Sequence, residues 1–412
     1  MSLNRITVFE HDYLRIDKPP EGSKFEERHL NALLSHFERN SVPYFTLIRN
    51  GIKFNQYVGV IQVGNTVIEV LPKADKSDSD SAKWQKILIG MLRAVGSLKI
   101  ESASESLLKI RPNSILDLYF ELFVQELEYL LHNGLLKQYR RKEGCLNALK
   151  GKLQFSRHIR ENLVHQERFS VDYTVYDYQH KIHYILYKTI LLLKSLNTSE
   201  NLSSRIGALL LQFPEMPDIK ITESVFQKIV LGRKTQIYRK ALEISKMLLL
   251  HYHPDLTGGR DNVLALMFDM NILWEKFVFV SLKKFNPGLD IKGQSVKPFW
   301  EPEKGKTVTM RPDIVLRNGK DCIVLDTKWK NLEGVSPSSD DLRQMYVYLD
   351  YFNANKTALV YPGKEIQMNK GVYYNDLGEK SEKECSLISV DVDPNILTFQ
   401  EKISDSIKSF LK

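Results

Sequence analysis

Cysteine is scarce in this chain: three residues in 412, at positions 145, 322 and 385. They are too few and too scattered for a disulfide framework or a cysteine-based zinc site. Long apolar runs are also missing. No stretch approaches the roughly twenty uninterrupted apolar residues of a membrane-spanning helix, and Met1-Ser2-Leu3-Asn4-Arg5 lacks the apolar centre of a signal peptide. A cytoplasmic location and no membrane partner are therefore expected. There is no internal repeat, no Walker-type P-loop and no dinucleotide fingerprint, so the chain is not expected to hydrolyse nucleotides itself. His251-x-His253 has no cysteine or second histidine pair nearby and reads as a helix end, not a metal site. Acidic residues are outnumbered, 50 against 58 Lys and Arg, giving a net charge of +8. That balance removes an objection to a polyanionic partner without selecting one.

What is present is a globular composition, 43% hydrophobic and 26% charged. The length exceeds what one core usually supports, so an α+β and α/β multidomain chain is expected. Residues 1–110 read as a hairpin-rich partner-binding module. It opens with a helix at Phe25 to Arg39. Strands follow at Tyr44 to Ile48, Val58 to Val63 and Thr66 to Leu71, joined at Asn50-Gly51 and Gly64-Asn65. The polar run 74–81 is expected to be a surface loop before a helix at Trp84 to Val95. Residues 111–255 read as mostly helical. An apolar helix from Ile115 to Leu131 is stopped by Gly134, and a second runs from Ile185 to Leu196. Between them, 137–160 is the densest basic region, either a solvated face or a surface for nucleic acid or an acidic partner. The tyrosine-rich stretch Tyr173 to Tyr187 reads as core.

The chemistry concentrates in 256–412. Arg311-Pro312-Asp313-Ile314-Val315-Leu316 and Ile323-Val324-Leu325-Asp326-Thr327-Lys328 flank a turn at Asn318-Gly319. A two-residue loop there sets Arg317 opposite Lys320 and Asp313 opposite Val324. Side chains alternate along a strand, so Asp313, Asp326 and Lys328 share one face. Asp326 is then diagonal to Asp313, roughly 7–8 Å away at the backbone, and two such carboxylates can hold one divalent ion. Val308, Met310, Ile314, Leu316, Ile323 and Leu325 line the opposite face, which is taken as the core side. Pro312 cannot donate to a ladder, so an edge position or a bulge is expected beside Asp313.

Pro312-Asp313, then Asp326-Thr327-Lys328 thirteen positions later, resembles the PD-(D/E)xK nuclease signature. The surrounding order agrees with that fold: a helix from about Asn262 to Lys284, a strand at Ile291 to Phe299, the hairpin, a helix from Ser339-Asp340-Asp341 to Asn353, and a strand at Lys356 to Tyr361. Gln344 and Tyr348, one helical turn apart, are similar to a pair that several such nucleases carry, unless they are merely a polar pair facing the helix's neighbours. Glu275 resembles the acid that many of them place on the first helix to complete the metal shell. Otherwise it is an ordinary surface glutamate. The chemistry implied is metal-dependent hydrolysis of a phosphodiester. Asp313 and Asp326, with the Thr327 carbonyl as third ligand, would hold Mg²⁺, for which Mn²⁺ could substitute. Lys328 would orient the attacking water or stabilise the pentacovalent charge. Lys330 and Arg311 are candidates for flanking phosphates, or simply solvated charges.

The whole chain resembles the McrC family, the nuclease subunits of McrBC-type, modification-dependent (5-methylcytosine) restriction systems. Outside the nuclease motif the resemblance lies in Tyr57-Val58-Gly59-Val60-Ile61-Gln62 with Ile68-Glu69-Val70-Leu71-Pro72-Lys73, in Gly134-Leu135-Leu136 leading to Tyr139, and in Leu149-Lys150-Gly151-Lys152-Leu153. It implies an endodeoxyribonuclease that lacks its own recognition domain, acts on DNA and works with a ring-forming McrB-like AAA+ GTPase hexamer. The family's N-terminal region inserts into that ring and stimulates it, which makes 40–73 and 137–160 candidates for ring contact. The chain departs from the pattern in Asp177-Tyr178-Gln179-His180-Lys181-Ile182-His183, where histidines stand in place of Asn-type residues, and in its greater length. A stand-alone repair nuclease of the same fold and a non-catalytic activator of an AAA+ partner remain as alternatives.

Overall fold

The computed structural model describes residues 4–40, 43–74, 80–96, 115–165, 167–197, 199–253, 263–319, 321–330 and 336–411. It divides into two compact units, Met1–Arg111 with Met267–Lys412, and Pro112–Leu266. The first segment read from sequence and residues 267–412 of the third thus lie in one unit, and the middle segment falls in the other together with the start of the third.

In the N-terminal part of the first unit, Asn4–Phe9 runs parallel to Thr66–Leu71. That strand returns antiparallel to Tyr57–Val63 across Gly64-Asn65. A separate sheet sets Gly51–Phe54 between Tyr13–Arg15 and Phe45–Ile48. Asn50-Gly51 therefore links Phe45–Ile48 to Gly51–Phe54, and not to the strand at 57–63 as expected. Asn50 takes a positive φ of 57°, which asparagine tolerates. Gly51 is needed because a Cβ there would lie 2.2 Å from the Leu14 carbonyl. Residues 75–79 of the expected surface loop lie outside the described residues. The helix after it, Ser81–Ala94, is capped by Asp80, whose carboxylate accepts from the Ala82 and Lys83 amides.

The C-terminal part is built on a mixed six-stranded sheet, in the order Asp290–Gly293, Ile314–Asn318, Asp321–Thr327, Lys356–Gly363, Lys380–Asp391, Gln367–Tyr374. The strands at 321–327, 356–363 and 380–391 are parallel to one another, and the others are antiparallel to their neighbours. Helix Ser339–Phe352 packs on one face: Met345, Tyr348 and Phe352 meet Val315, Val324 and Leu359. On the other face Trp274 and Phe277 of helix Met270–Phe285 stack with Phe399 of helix Ile396–Leu411. Both faces of the hairpin are core. The face carrying Asp313 and Asp326 is not the less buried side that its polar residues suggested, because the parallel strands beside it require cover on both faces.

Three further expectations change. The segment read as the start of a helix at Asn262 is a strand, Val263–Asp269, and Asn262 lies outside the described residues. The helix begins at Met270, where Asp269 caps it by accepting from the Asn271 and Ile272 amides. A short apolar run carries no period of its own, so a buried strand and a buried helix look alike there. The strand expected at Ile291 to Phe299 is two strands. Lys297–Trp300 leaves the main sheet after Gln294, which has φ +50°, and pairs with Val308–Met310. Val308 and Met310 therefore do not belong to the hairpin. Pro312 stands in the break between those sheets, two residues ahead of the strand at 314, where no ladder bond is asked of it.

The second unit is mixed. Ile115–His132, Lys181–Leu196, Glu200–Gln212 and Arg239–Leu250 are its main helices, and His251 stands at the end of the last. The basic region folds as strand Gln138–Leu146, strand Lys152–Leu153 and helix Phe155–Glu161, with Phe169–Asp177 completing a three-stranded sheet. Tyr173 is buried, whereas Tyr176 is 55% exposed and packs on exposed Tyr139 with ring centroids 4.6 Å apart. The tyrosine stretch is thus only partly core. The histidines that depart from the family pattern are buried: His183 lies 2.8 Å from the Tyr178 carbonyl and 3.2 Å from the Tyr238 hydroxyl, and His180 lies 2.9 Å from the Leu136 carbonyl. Burial, then His180, lowers His183 to about 4, so it is a neutral core residue near neutral pH.

Candidate active site

The site begins at the hairpin turn. Asn318 pairs with Asp321 and Ile314 with Leu325, so the turn is one step later than Asn318-Gly319, with Gly319 at φ +61° and Lys320 outside the described residues. The register moves by two residues from the expected one. Because side chains alternate with period two, a two-residue shift keeps every side chain on its face. The ladder ends at Ile314 and Leu325; continued by one step, its register would set Asp313 opposite Asp326, where Val324 had been expected to face it.

Asp313 is held by the neighbouring strand, its Oδ2 accepting from the Thr327 amide and the Thr327 hydroxyl, both at 2.7 Å. Its carbonyl accepts from the Gln294 amide at 2.8 Å. Asp326 is 3% exposed, and its Oδ2 is buried without a hydrogen bond, although the Lys328 ammonium forms an ion pair with it at 2.8 Å. Burial, and then the charge of Asp313, push the Asp326 carboxyl up to about 6 against the pull of Lys328. The same ammonium lies 3.4 Å from Asp341, which also pairs with Lys330 at 3.8 Å. Burial works against the charge on Lys328, but Asp326 and Asp341 outweigh it and keep the side chain protonated.

The helix Ser339–Phe352 covers this group. Ser338 caps it through its hydroxyl, which accepts from the Asp341 amide. Gln344 and Tyr348 face the site together, the Gln344 amide donating to the Tyr348 hydroxyl at 2.9 Å. Burial and the two aspartates push that hydroxyl above the usual tyrosine range, so it stays neutral. Glu275, expected in a metal shell, is not gathered with the aspartates. Its Oε1 accepts from Gln294 Nε2 at 2.7 Å, while burial and then Asp313 raise its carboxyl. Among the described residues no three acids, histidines or cysteines lie close enough to share a metal ion. Arg311 donates to Gln294 Oε1 at the edge of this network.

The structure brings Asp313, Asp326, Lys328, Gln344 and Tyr348 near one another, and it adds two residues that the sequence reading did not single out. Asp341 looked only like a helix start, and its contact with Lys328 arises because the helix crosses the strand end. Gln294 sits in no motif, and nothing in the sequence marks its left-handed backbone.

A family model described as McrBC 5-methylcytosine restriction system component matches residues 52–362, well over half of the chain. The chain belongs to that family. No curated protein matches it. Like this McrBC-family chain is one in a solved half-complex from a tetradecameric assembly of Thermococcus gammatolerans McrB AAA+ hexamers with bound McrC. The two are 23% identical over 98% of this chain and 100% of the other, with a TM-score of 0.74. A chain in the solved Thermococcus gammatolerans McrBC complex is also similar, at 23% identity over 68% of this chain and 87% of the other, with a TM-score of 0.52. At that identity the likeness is one of fold, and it extends across both units of the McrBC-family chain.

Proposed function

We propose that the chain is the nuclease subunit of a McrBC-type restriction system, a Mg²⁺-dependent endodeoxyribonuclease that works with an McrB-like AAA+ GTPase hexamer. On this reading the C-terminal part of the first unit is a PD-(D/E)xK restriction-endonuclease-like domain. Helix 270–285, the antiparallel strands at 290, 314 and 321, helix 339–352 and the parallel strand at 356 follow in the order that fold requires. The observation that carries the proposal is the meeting of Asp313, Asp326 and the Lys328 ammonium under the Gln344–Tyr348 helix.

The residues fit a hard divalent cation. Asp326 is buried beside Asp313, and the burial and the charge of Asp313 that raise its carboxyl are what a bound cation would relieve. All the donors are oxygens, a set suited to Mg²⁺ or Mn²⁺ and not to thiolate-seeking metals. Asp313, Asp326 and the Thr327 carbonyl would hold the ion; Glu275, turned to Gln294, would act on them through its charge. A cation held there would supply neutralisation of phosphate charge and a more acidic bound water. Lys328, kept protonated between two carboxylates, stabilises charge building on the phosphate. Tyr348, kept neutral, offers a hydroxyl that Gln344 orients.

McrB AAA+ hexamers accompany McrC in the solved Thermococcus assembly, which supports a partner of the same kind here. The lack of a P-loop supports leaving nucleotide hydrolysis to that partner. No helix among the described residues is long and apolar enough to cross a membrane. Asp326→Ala in the full chain tests the proposal. Mg²⁺-dependent cleavage should fall by about a hundredfold or more while stimulation of the partner's GTP hydrolysis stays within about twofold. Equal loss of both with the fold intact counts against it.

A further inference from the structure

Lys328 works only if its ammonium is kept between Asp326 and Asp341, yet it lies one residue beyond the strand Asp321–Thr327. Its last sheet bond is its own amide to the Val360 carbonyl, at 3.0 Å. What fixes the chain beyond it is Trp329. That side chain is buried and meets Trp274 edge-on at 5.5 Å between centroids. Its indole Nε1 donates to Glu10 Oε1 at 2.6 Å. Glu10 stands 319 residues earlier in the chain, just past the strand Asn4–Phe9. It is clamped there by its amide on the Leu71 carbonyl at 2.9 Å and by the Lys73 amide on its Oε1 at 2.8 Å.

Glu10 is 4% exposed, and its second oxygen is buried without a hydrogen bond, with His11 Nε2 4.0 Å away. For the fold alone this is a costly choice, since an uncharged amide would accept the same two bonds with no charge to desolvate. One oxygen receives both donors, so the end of the Asp-x-Lys strand is tied to the ends of two strands of the N-terminal sheet. We propose that Glu10 is a positioning residue for Lys328, acting through the Trp329 indole. The N-terminal module then completes the active site in addition to any role in partner contact. This inference rests on the nuclease reading above.

The test uses the full chain with its AAA+ partner, methylated plasmid DNA and saturating Mg²⁺. Glu10→Leu and Trp329→Phe each remove the indole bond, the latter keeping a ring against Trp274. Both should lower the single-turnover cleavage rate by about tenfold or more, with the DNA dissociation constant within about twofold of wild type. The double variant should lose no more than either single one. Glu10→Gln, which keeps the accepting oxygen, should cleave within about twofold of wild type. Cleavage at the wild-type rate by folded Glu10→Leu or by Trp329→Phe overturns the inference, as does a loss confined to DNA affinity or a Gln variant as impaired as the Leu variant. If Glu10→Leu does not fold, Trp329→Phe decides. A wild-type chain that cuts with neither Mg²⁺ nor Mn²⁺ removes the nuclease reading and this inference with it.

Discussion

Lys328 is held by opposite charges from two elements, Asp326 in its own strand segment and Asp341 in the first turn of the covering helix, so its charge and its direction are set together. Burial of these groups is tolerated because each has a partner of opposite sign. Glu10 is less well compensated, because the ring beside it, His11 with Nε2 at 4.0 Å, is itself pushed toward its neutral form by burial. Burial pushes its carboxyl up to about 7 although the Lys73 and Trp329 bonds pull down, and Asp269 adds to the rise. A carboxyl raised above its ordinary 4.5 contributes stability that is complete below that pH and is lost as pH climbs through about 7. Glu10→Gln has no such loss. Its stability relative to wild type should therefore improve by on the order of 3 kcal/mol between about pH 4.5 and pH 8, as read by urea unfolding at each pH. A difference that stays flat across the range would show that Glu10 ionises normally in the folded chain.

At the scale of elements, the site is a hairpin under a helix. The alternation of Asp313 through Leu316 and Ile323 through Lys328 was enough to put both carboxylates on one face, and it survived a register shift of two residues because the period is two. What alternation could not give was which face would be covered. Val315 and Val324 share the face of the acids and are as buried as Ile314 and Leu325 on the other. The helix above was legible from its ends, Ser339-Asp340-Asp341 at the start and Asn353 at the finish, although the capping hydroxyl is that of Ser338, one residue earlier, and Asn353 closes it at φ +49°. Its cap aims the turn that carries Asp341. Ser338→Ala should cost about 1 kcal/mol in chemical denaturation and lower cleavage more than DNA binding. Unchanged stability would mean that the cap hydroxyl is replaced by water.

At the scale of the molecule, residues 1–111 and 267–412 form one compact unit although the second unit separates them in sequence. The joint is made of specific polar bonds: Trp329 to Glu10, Gln56 Nε2 to Asp269 Oδ2 at 3.4 Å, and the Met270 amide to the Gln56 carbonyl at 2.9 Å. It is also apolar, since helix Ser81–Ala94 buries Ile87, Leu88, Met91 and Leu92, and a Cβ at Gly90 would touch Ile396 of the last helix. A fragment of residues 256–412 loses these partners and exposes the surface they cover. It should melt without the cooperative transition of the full chain and resist protease less, as followed by circular dichroism and limited proteolysis. A fragment that melts as sharply as the full chain would make the nuclease part independent.

By itself the sequence determined the class of the chain, most of its regular elements and the candidate catalytic set, because strand alternation, helix caps and the Pro-Asp and Asp-x-Lys spacing are local and act within a few residues. Only the tertiary structure decided that Asp341 meets Lys328, that Glu275 is bonded to Gln294 and that Glu10 reaches Trp329. Those contacts depend on how elements cross after packing, and no pattern along the chain records an encounter between residues 319 positions apart.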